Sequence, residues 1–400
     1  MMMRTLLVAV GAVLAIAPIA APAQDKIKFG LAIAKTGQNT PGAASTVTPN
    51  YRLWISELQE AGGITIKKTG KKVPVELIEY DDRSQSEEVI RLTERLINED
   101  KVDFILSPWG TAFNLAVAPL LSKAGYPHLA VTFTVEDLPK FTKRWPNLFG
   151  FTALPSSYAE GLVEVLSSMR SRGSIGNDVA LVGVSDQFGL ELAGAGRKAL
   201  QKAGFKLVMD KMYPFGTQDL AGIITEAARA NPDAFVAFSY PPDTMGLTEQ
   251  ARALKFNPKV FYAAVATAFP GYRQRFGKNV EGIMGPGGWN ANAPESKAYM
   301  ERFKKVNNGQ EPDRWASPLV YASLQILQQA IERHGLDRKA VIKEISAGTF
   351  DTILGPTKLV NNHLKSQYLV AQWQDGEFNA VWPQSLPGTT SFRMNKPAWQ

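Results

Sequence analysis

The feature that most constrains this fold is a regular alternation of short β-rich runs with longer helical stretches from Lys26 onward. Residues 27–34 have the composition of a buried strand, and the apolar spacing around Trp54 indicates a helix that ends at Gly62. This βα alternation is typical of a parallel sheet covered by helices on both faces. The sequence therefore predicts a doubly wound α/β protein.

The alternation occurs twice, which predicts two β/α lobes of the same kind. Strands are predicted at 27–34, 73–80, 102–106 and 127–131 in the first set, and at 179–184, 207–213, 234–238 and 260–264 in the second. The helical stretch 296–346 cannot form a domain alone, so we expect it to return to the first lobe. The predicted division gives lobe 1 residues 24–153 plus 283–356, and lobe 2 residues 154–282 plus 357–400. A chain of 400 residues ordinarily exceeds one hydrophobic core.

The N-terminus predicts an export signal. Arg4 precedes a nearly apolar run, residues 5–21, and Ala21-Pro22-Ala23 forms a small-x-small cleavage site before Gln24. A membrane anchor is disfavoured because the apolar core is short and interrupted by proline. We therefore expect residues 1–23 to be a signal peptide and the mature protein to be soluble in a bacterial periplasm.

Composition excludes several classes of function. The sequence contains no cysteine, which rules out disulfides, thiolate metal sites and a lipid-modified cysteine anchor. The 44 Lys and Arg residues exceed the 37 Asp and Glu residues by only seven and form no long run, so nucleic-acid binding is not favoured. Only three histidines are present, and they lie far apart without metal-ligand spacing. We expect no cofactor and no metal.

Two motifs resemble catalytic or cofactor motifs but lack the required context. Gly183-Val184-Ser185 begins like a nucleophile elbow, yet Gln187 occupies the position of the second glycine. Residues 194–199 match a dinucleotide fingerprint, but they lie inside a predicted helix instead of at a strand-to-helix turn. Small residues that pack a helix are the better interpretation, and we predict that the protein is not an enzyme.

The turn after the second predicted strand contains adjacent carboxylates, Asp81 and Asp82. They could pose as a paired acid and base, but their position before a helix favours a role in shaping the turn. Ser84 and Glu87 have the spacing of a capping box, which predicts that this helix opens at Ser84.

Candidate ligand-binding residues lie in the loops that follow the predicted strands, where helix N-termini present free amides to anions. Hydroxyls at these positions suit a carboxylate, and aromatic rings suit an apolar body. The candidates are Trp109, Thr111, Thr132, Phe133 and Thr134 in the first lobe, and Asp186, Phe188, Tyr240 and Thr267 in the second. Each candidate also has a structural alternative. The threonines could cap helices, and the aromatic rings could pack in the core.

At this point the chain resembles the periplasmic substrate-binding proteins of branched-chain amino acid ABC transporters, which have the type I two-lobed fold. The resemblance covers essentially the whole mature chain. It is carried by Thr36-Gly37, Ala61-Gly62-Gly63-Ile64, Tyr80-Asp81-Asp82, the strand-to-helix loops and Glu281-Gly282. It implies two lobes joined by a three-segment hinge, closure over a small-molecule ligand, delivery to membrane permease subunits and a monomer.

The resemblance also implies roles for individual residues. Thr111 and Thr134 fall where the family holds the α-carboxylate and part of the ammonium of its ligand, Thr132 lies in the same loop, and Tyr240 matches a tyrosine that closes from the second lobe. Phe188 stands where an amino acid receptor often has tyrosine. The acidic residue that pairs with the ligand ammonium is replaced by Val265-Ala266-Thr267.

A buried ammonium without a carboxylate partner is costly, so this replacement bears on the ligand. Asp186 or Asp243 could compensate; otherwise the ligand is a carboxylate without the amine, such as an aromatic or branched organic acid, or an amide. The leading hypothesis is a receptor of an ABC importer for an amino acid or related acid. The alternatives are a sensory receptor of the same fold that serves a signalling partner, and an exported hydrolase.

Overall fold

A computed structural model describes residues 26–365 and 368–400. The predicted signal peptide, residues 1–23, lies outside the described residues. Within the described part of the chain, no helix combines the length and the apolar character needed to cross a membrane.

The first half of the chain builds a parallel sheet in the order β4-β1-β5 and a parallel pair β6-β7. In chain order its elements are β1 (Ile27–Ile33), α1 (Thr40–Ser45), α2 (Val47–Glu60), β2 (Ile64–Ile66), β3 (Lys71–Val73), β4 (Val75–Asp81), α3 (Ser86–Asn98), β5 (Phe104–Ile105), α4 (Thr111–Lys123), β6 (His128–Ala130), α5 (Leu138–Arg144) and β7 (Leu148–Gly150). Strand β1 is almost completely buried because helices cover both faces of the sheet.

The second half builds a seven-stranded sheet in the order β16-β15-β12-β11-β10-β8-β9. Its elements begin with α6 (Pro155–Ser171), β8 (Asp178–Val184), α7 (Gln187–Lys202), β9 (Lys206–Tyr213), α8 (Ala221–Ala230), β10 (Ala234–Phe238), α9 (Pro241–Ala253), β11 (Val260–Ala263), α10 (Pro270–Phe276) and β12 (Met284–Gly285). The strands from β12 to β9 run parallel. The hydrophobic core lies between these sheets and their helices.

The remaining elements add helices to the first half, a separate two-stranded sheet and the edge of the second sheet. They are α11 (Pro294–Val306), α12 (Ser317–His334), α13 (Arg338–Ala347), β13 (Phe350–Thr352), β14 (Gly355–Thr357), β15 (Val370–Gln374) and β16 (Glu377–Trp382). Helices α11 and α12 pack on α2: the buried Tyr299 hydroxyl donates to Asn50 at 2.6 Å, and the Trp54 indole N–H donates to Gln328 at 3.0 Å. Strands β15 and β16 pair antiparallel at one edge of the second sheet.

Three chain segments connect the two halves, and two of them are hydrogen-bonded to each other. The Gly150 N–H donates to the Asn362 carbonyl at 2.9 Å, and the Leu364 N–H donates back to the Gly150 carbonyl at 3.0 Å. The crossover predicted at residue 283 lies just before β12, which pairs in the second sheet. The lobe boundaries remain a prediction.

Helix starts are where the sequence-based expectations fail. The capping box at Ser84 is wrong: α3 begins at Ser86, and Ser84 has a positive φ of 58°. Its hydroxyl instead donates to the Thr36 carbonyl at 2.7 Å and accepts from the Asn39 N–H at 3.0 Å. Ser84 therefore ties the turn after β4 to the turn after β1.

Candidate ligand-binding site

The candidate site lies between the carboxyl ends of the strands of the two lobes. From the first lobe come Thr111, which begins α4, and the loop after β6 that holds Thr132 and Thr134. From the second lobe come the start of α7 and Tyr240, which directly precedes α9. Parallel strands end at the same sheet edge, so these loops face one cleft.

The start of α4 provides unpaired donors. Its N-cap is Gly110, whose φ of 99° requires glycine, and no side chain caps the helix. The Gly110 N–H donates to the Thr132 hydroxyl at 2.9 Å. Helix geometry leaves the first-turn amides, beginning with Thr111, without intrahelical acceptors. The dipole adds positive potential there, so this end of α4 favours an anion.

The threonines around this helix start form one hydrogen-bonded group. The Thr134 N–H donates to the Thr111 hydroxyl at 3.2 Å, and the Thr134 hydroxyl donates to the Thr152 hydroxyl at 3.0 Å. All three side chains are buried. Because the Thr111 oxygen already accepts a bond, its hydroxyl proton is available to an acceptor.

A further donor at this edge is the indole N–H of Trp109. The side chain is 2% exposed, and the buried Nε1 atom has no hydrogen-bond acceptor among the described residues. A buried donor without a partner is costly, so the site favours a ligand that brings an acceptor.

The second lobe contributes stacked rings. Tyr240 stacks on Phe188 with ring centroids 5.0 Å apart, and it reaches across to Trp109 at 5.3 Å. A Cβ placed on Gly110 would lie 4.0 Å from the Tyr240 hydroxyl oxygen. Tyr240 therefore covers the start of α4 and joins the two edges of the cleft.

Both carboxylates near Tyr240 already have partners. Asp186 caps α7 by accepting the Gly189 N–H at 3.0 Å, and it accepts the Tyr240 hydroxyl at 2.7 Å. Asp243 accepts the Tyr213 hydroxyl at 3.2 Å and the Tyr240 N–H at 3.3 Å. Burial raises the pKa of the Asp186 carboxyl, and burial raises the pKa of Asp243 to about 6.

A narrow cavity separates the lobes beside these rings. Its volume is about 10 Å³, no more than the space of one water molecule. Its lining is Thr134, Tyr158, Phe188, Leu192, Tyr262, Ala264, Val265, Pro286 and Trp315. None of these side chains is charged. A ligand larger than water must part the lobes to enter.

Val265 has a strained backbone at this cavity. Its φ of 60° and ψ of −81° lie where a β-branched residue is a genuine outlier. Such a conformation costs on the order of 1–3 kcal/mol and is found mostly at functional sites. Val265 opens the stretch Val265-Ala266-Thr267, where the resemblance implies an acidic residue, and its side chain is apolar.

Thr267 and Phe133 do not line the cavity. The buried Thr267 hydroxyl donates to the Ala263 carbonyl at 2.9 Å, and its carbonyl accepts the Trp373 indole N–H at 2.9 Å. Phe133 packs in a hydrophobic cluster with Leu138 and Trp145. Both residues stabilise the loops that hold the site.

Of the nine cavity residues only Thr134 and Phe188 were predicted site residues, and the seven others include Tyr158, Tyr262 and Trp315. Tyr262 lies within β11, whereas Tyr158 and Trp315 come from segments near the lobe crossings. The Trp315 indole N–H donates to the Tyr158 hydroxyl at 3.2 Å. The predicted site residues all come from loops that follow strands. An apolar run within a strand gives no sign in the sequence that one of its residues contacts a ligand.

The histidines have structural environments. His128 is buried and contacts Asn114 at 2.9 Å, and burial lowers the pKa of its imidazole to about 3. His363 contacts the Thr152 carbonyl, and His334 contacts Glu344. Within the part of the chain that the structure describes, no three His, Asp or Glu side chains are grouped to hold a metal ion.

Comparisons with known proteins agree with this architecture. A family model described as periplasmic binding protein matches residues 26–377. An amino acid binding protein of Pseudomonas aeruginosa is 23% identical over 333 residues, which span 80% of this chain and 83% of that protein. A substrate binding protein of a branched-chain amino acid transporter from Streptococcus pneumoniae, solved with isoleucine, is 19% identical with a TM-score of 0.75, covering 89% and 98% of the two chains.

A second solved structure is an ABC transporter solute binding protein from R. palustris in complex with benzoate. It is 18% identical with a TM-score of 0.75, and the match covers 88% of this chain and 94% of that one. At this level of identity the likeness establishes the fold, and it confirms the predicted type I architecture of two β/α lobes.

Proposed function

This chain belongs to the periplasmic binding protein family, and from that premise we propose that it is the solute receptor of an ABC importer for a small aromatic carboxylate without an amine. The observation that carries the proposal is the set of unpaired donors at the start of α4. The uncapped helix end, the Thr111 hydroxyl and the Trp109 indole N–H all favour an acceptor.

The apolar surroundings support an aromatic body for this ligand. Phe188 and Tyr240 stack on one side of the site, and Tyr158, Tyr262 and Trp315 line the adjoining cavity. Rings prefer offset or edge contacts with other rings, and a pocket of rings with few polar groups suits a flat ligand. The R. palustris relative of the same fold was solved with benzoate.

The absence of an amine follows from the charges. No acidic side chain lines the cavity, and the stretch Val265-Ala266-Thr267 stands where the family resemblance implies an acid. Asp186 and Asp243 each accept two hydrogen bonds from their own lobe. A desolvated ammonium in this cavity would lack a partner, which is costly.

An amino acid is the second candidate, and the position of Asp186 favours it. This carboxylate lies next to the Tyr240 hydroxyl, which itself lies near Gly110 at the start of α4. A zwitterion could place its carboxylate on α4 and its ammonium on Asp186. The Pseudomonas aeruginosa relative is named as an amino acid binding protein.

Isothermal titration of residues 24–400 and its Asp186→Asn variant with benzoate and with phenylalanine separates the two candidates. If the ligand is an aromatic carboxylate, the wild type binds benzoate. The Asp186→Asn variant then binds benzoate at least as tightly, because one negative charge near the anion is removed. If the ligand is an amino acid, the wild type binds phenylalanine and the Asp186→Asn variant loses most of the affinity for it. If neither compound binds, both candidates are wrong.

In the proposed cycle the first lobe binds the carboxylate, the second lobe closes with Tyr240 and Phe188, and the permease recognises the closed form in the periplasm. Closure excludes water and strengthens the hydrogen bonds around the ligand. The receptor releases its ligand unchanged, so conversion of benzoate, or activity in a broad esterase and amidase screen, would contradict the proposal.

A further inference from the structure

A wide groove runs along the outside of the second lobe between α6 and α7. Its volume is about 980 Å³, and its floor is formed by Val163, Ala195 and Ala199. Leu190 stands at its side with 50% of its surface exposed. Gly194 opens the wall further, because a Cβ added there meets no atom within 4 Å. We call this feature the α6–α7 groove.

The charges along the α6–α7 groove are polarised. Glu160 and Glu191 lie in the first half of α6 and α7, Glu164 lies just past the middle of α6, and Lys198 and Lys202 lie toward the end of α7. Within the described residues none of these five side chains forms an ion pair, whereas the neighbouring Arg197 pairs with Asp210 at 2.6 Å. The groove therefore presents unpaired charge of both signs around an apolar floor.

The acidic end of the groove is assembled from both lobes. Glu136 belongs to the loop after β6 in the first lobe, and its backbone N–H donates to Glu191 of α7 at 3.1 Å. The Glu136 carboxylate accepts the Ser156 N–H at the start of α6 at 2.9 Å. Separation of the lobes would break the contact between Glu136 and Glu191, so this end of the groove is complete only in the closed form.

We propose that the α6–α7 groove docks an amphipathic helix of the importer's membrane permease, with basic residues against the glutamates and an apolar stripe on the floor. This inference rests on the proposed function. The wall formed by α7, Gln187–Lys202, is about 24 Å long at ~1.5 Å per residue, which matches a partner helix of about 16 residues. Contact with Glu136 and Glu191 together makes docking sensitive to closure.

The test fills the groove without disturbing the fold. Gly194→Trp places an indole in open space on an exposed helix position, where replacing glycine does not weaken the helix. Gly222→Trp is the matched control, since Gly222 also lies in an exposed helix, α8, and a Cβ there meets no atom within 4 Å. ATP hydrolysis by the importer in proteoliposomes is measured against receptor concentration with saturating benzoate.

We expect Gly194→Trp to raise the receptor concentration for half-maximal stimulation about tenfold or more, the loss typical of blocking a buried interface contact. Its titration with benzoate should match the wild type, and Gly222→Trp should stimulate like the wild type. Glu160→Lys with Glu164→Lys should weaken stimulation further, and added salt should reduce the difference between this variant and the wild type.

Other outcomes overturn the inference in distinguishable ways. Normal stimulation by Gly194→Trp contradicts the groove proposal and leaves the proposed function intact. If the wild type neither binds benzoate nor stimulates the importer, the proposed function is wrong. The groove proposal is then wrong as well, because it rests on that function. If sedimentation shows a wild-type dimer that Gly194→Trp converts to a monomer, the occupant is a second copy of this chain and the permease assignment is wrong.

Discussion

The two edges of the cleft differ in how their helix starts are satisfied. In the first lobe α4 begins at Thr111 after the N-cap Gly110 with no capping side chain, and the Trp109 indole N–H has no acceptor in the described chain. In the second lobe Asp186 caps α7, and Asp243 completes a capping box at the start of α9. In the second lobe, acidic side chains already accept hydrogen bonds at the helix starts. In the first lobe, donors at the helix start are left for a ligand.

This difference predicts the orientation of the ligand. The carboxylate binds at the first lobe, where free amides and hydroxyls favour negative charge. The apolar body faces the rings of the second lobe, chiefly Tyr240 and Phe188. Two sheets of the same kind thus provide opposite halves of one site, because the residues at their helix starts differ.

The largest expected effect is on the ring side. Tyr240→Ala removes contacts with Phe188 and Trp109 and opens the cover over α4, so we expect benzoate affinity to fall by about 2–4 kcal/mol. Tyr240→Phe keeps the stacking and loses the bond to Asp186, and it should bind within about 1 kcal/mol of the wild type. Calorimetric titration measures both. Equal losses would show that the hydroxyl, not the ring, carries the contribution of the second lobe.

The next effect is on the donor side. Thr111→Val keeps the shape of the side chain and removes the hydroxyl whose proton is free for a ligand acceptor, so benzoate binding should weaken by about 1–3 kcal/mol. Thr93→Val is the control, because the buried Thr93 hydroxyl donates to the Val89 carbonyl at 2.7 Å in α3, which contributes no residue to the site. The control should lower the free energy of unfolding without changing affinity. Unchanged affinity in Thr111→Val would show that this hydroxyl does not contact the ligand.

A smaller effect concerns pH and the second lobe alone. Burial raises the pKa of Asp243 in the folded state to about 6, above the ~3.9 of an unfolded chain. The folded state therefore holds this proton more tightly, and the stabilisation is complete below about pH 4 and is lost as the pH rises through about 6.

Asp243→Asn removes this dependence. Relative to the variant, the wild type should lose on the order of 1 kcal/mol of unfolding free energy between pH 4 and pH 7. Urea unfolding at each pH measures the difference. A difference that stays constant with pH would show that folding does not raise the pKa of Asp243.

The fold was predictable where apolar runs had clear ends. The strand predicted at 234–238 has the observed bounds because turn residues enclose it, and the predicted helical stretch 296–346 corresponds to α11, α12 and α13. The starts of three helices carried no such signal. Helices α6, α9 and α11 begin at Pro155, Pro241 and Pro294, where proline takes the first helical position and no serine or threonine marks the cap.

The site was predictable in part because loops after parallel strands meet at one edge. That rule accounts for the contacts of Tyr240 with Trp109 and with Phe188. It also accounts for the hydrogen bonds that join Thr134 to Thr111 and Gly110 to Thr132. The direction of a side chain within a loop did not follow, and Thr267 contacts its own strand end instead of the cavity. Tyr158 and Trp315 come from distant segments, so only the folded chain brings them to the cavity.

The central claim is that donors of the first lobe select a carboxylate and that the site has no place for an ammonium. Thermal unfolding of residues 24–400 with 3-phenylpropionate, 3-phenylpropionamide and phenylalanine tests it, since these differ only in the polar head and a ligand that binds the folded state raises the midpoint. We expect 3-phenylpropionate to raise the midpoint of unfolding clearly and the other two compounds to change it little. A rise with phenylalanine alone, or with the amide and not the acid, would contradict it.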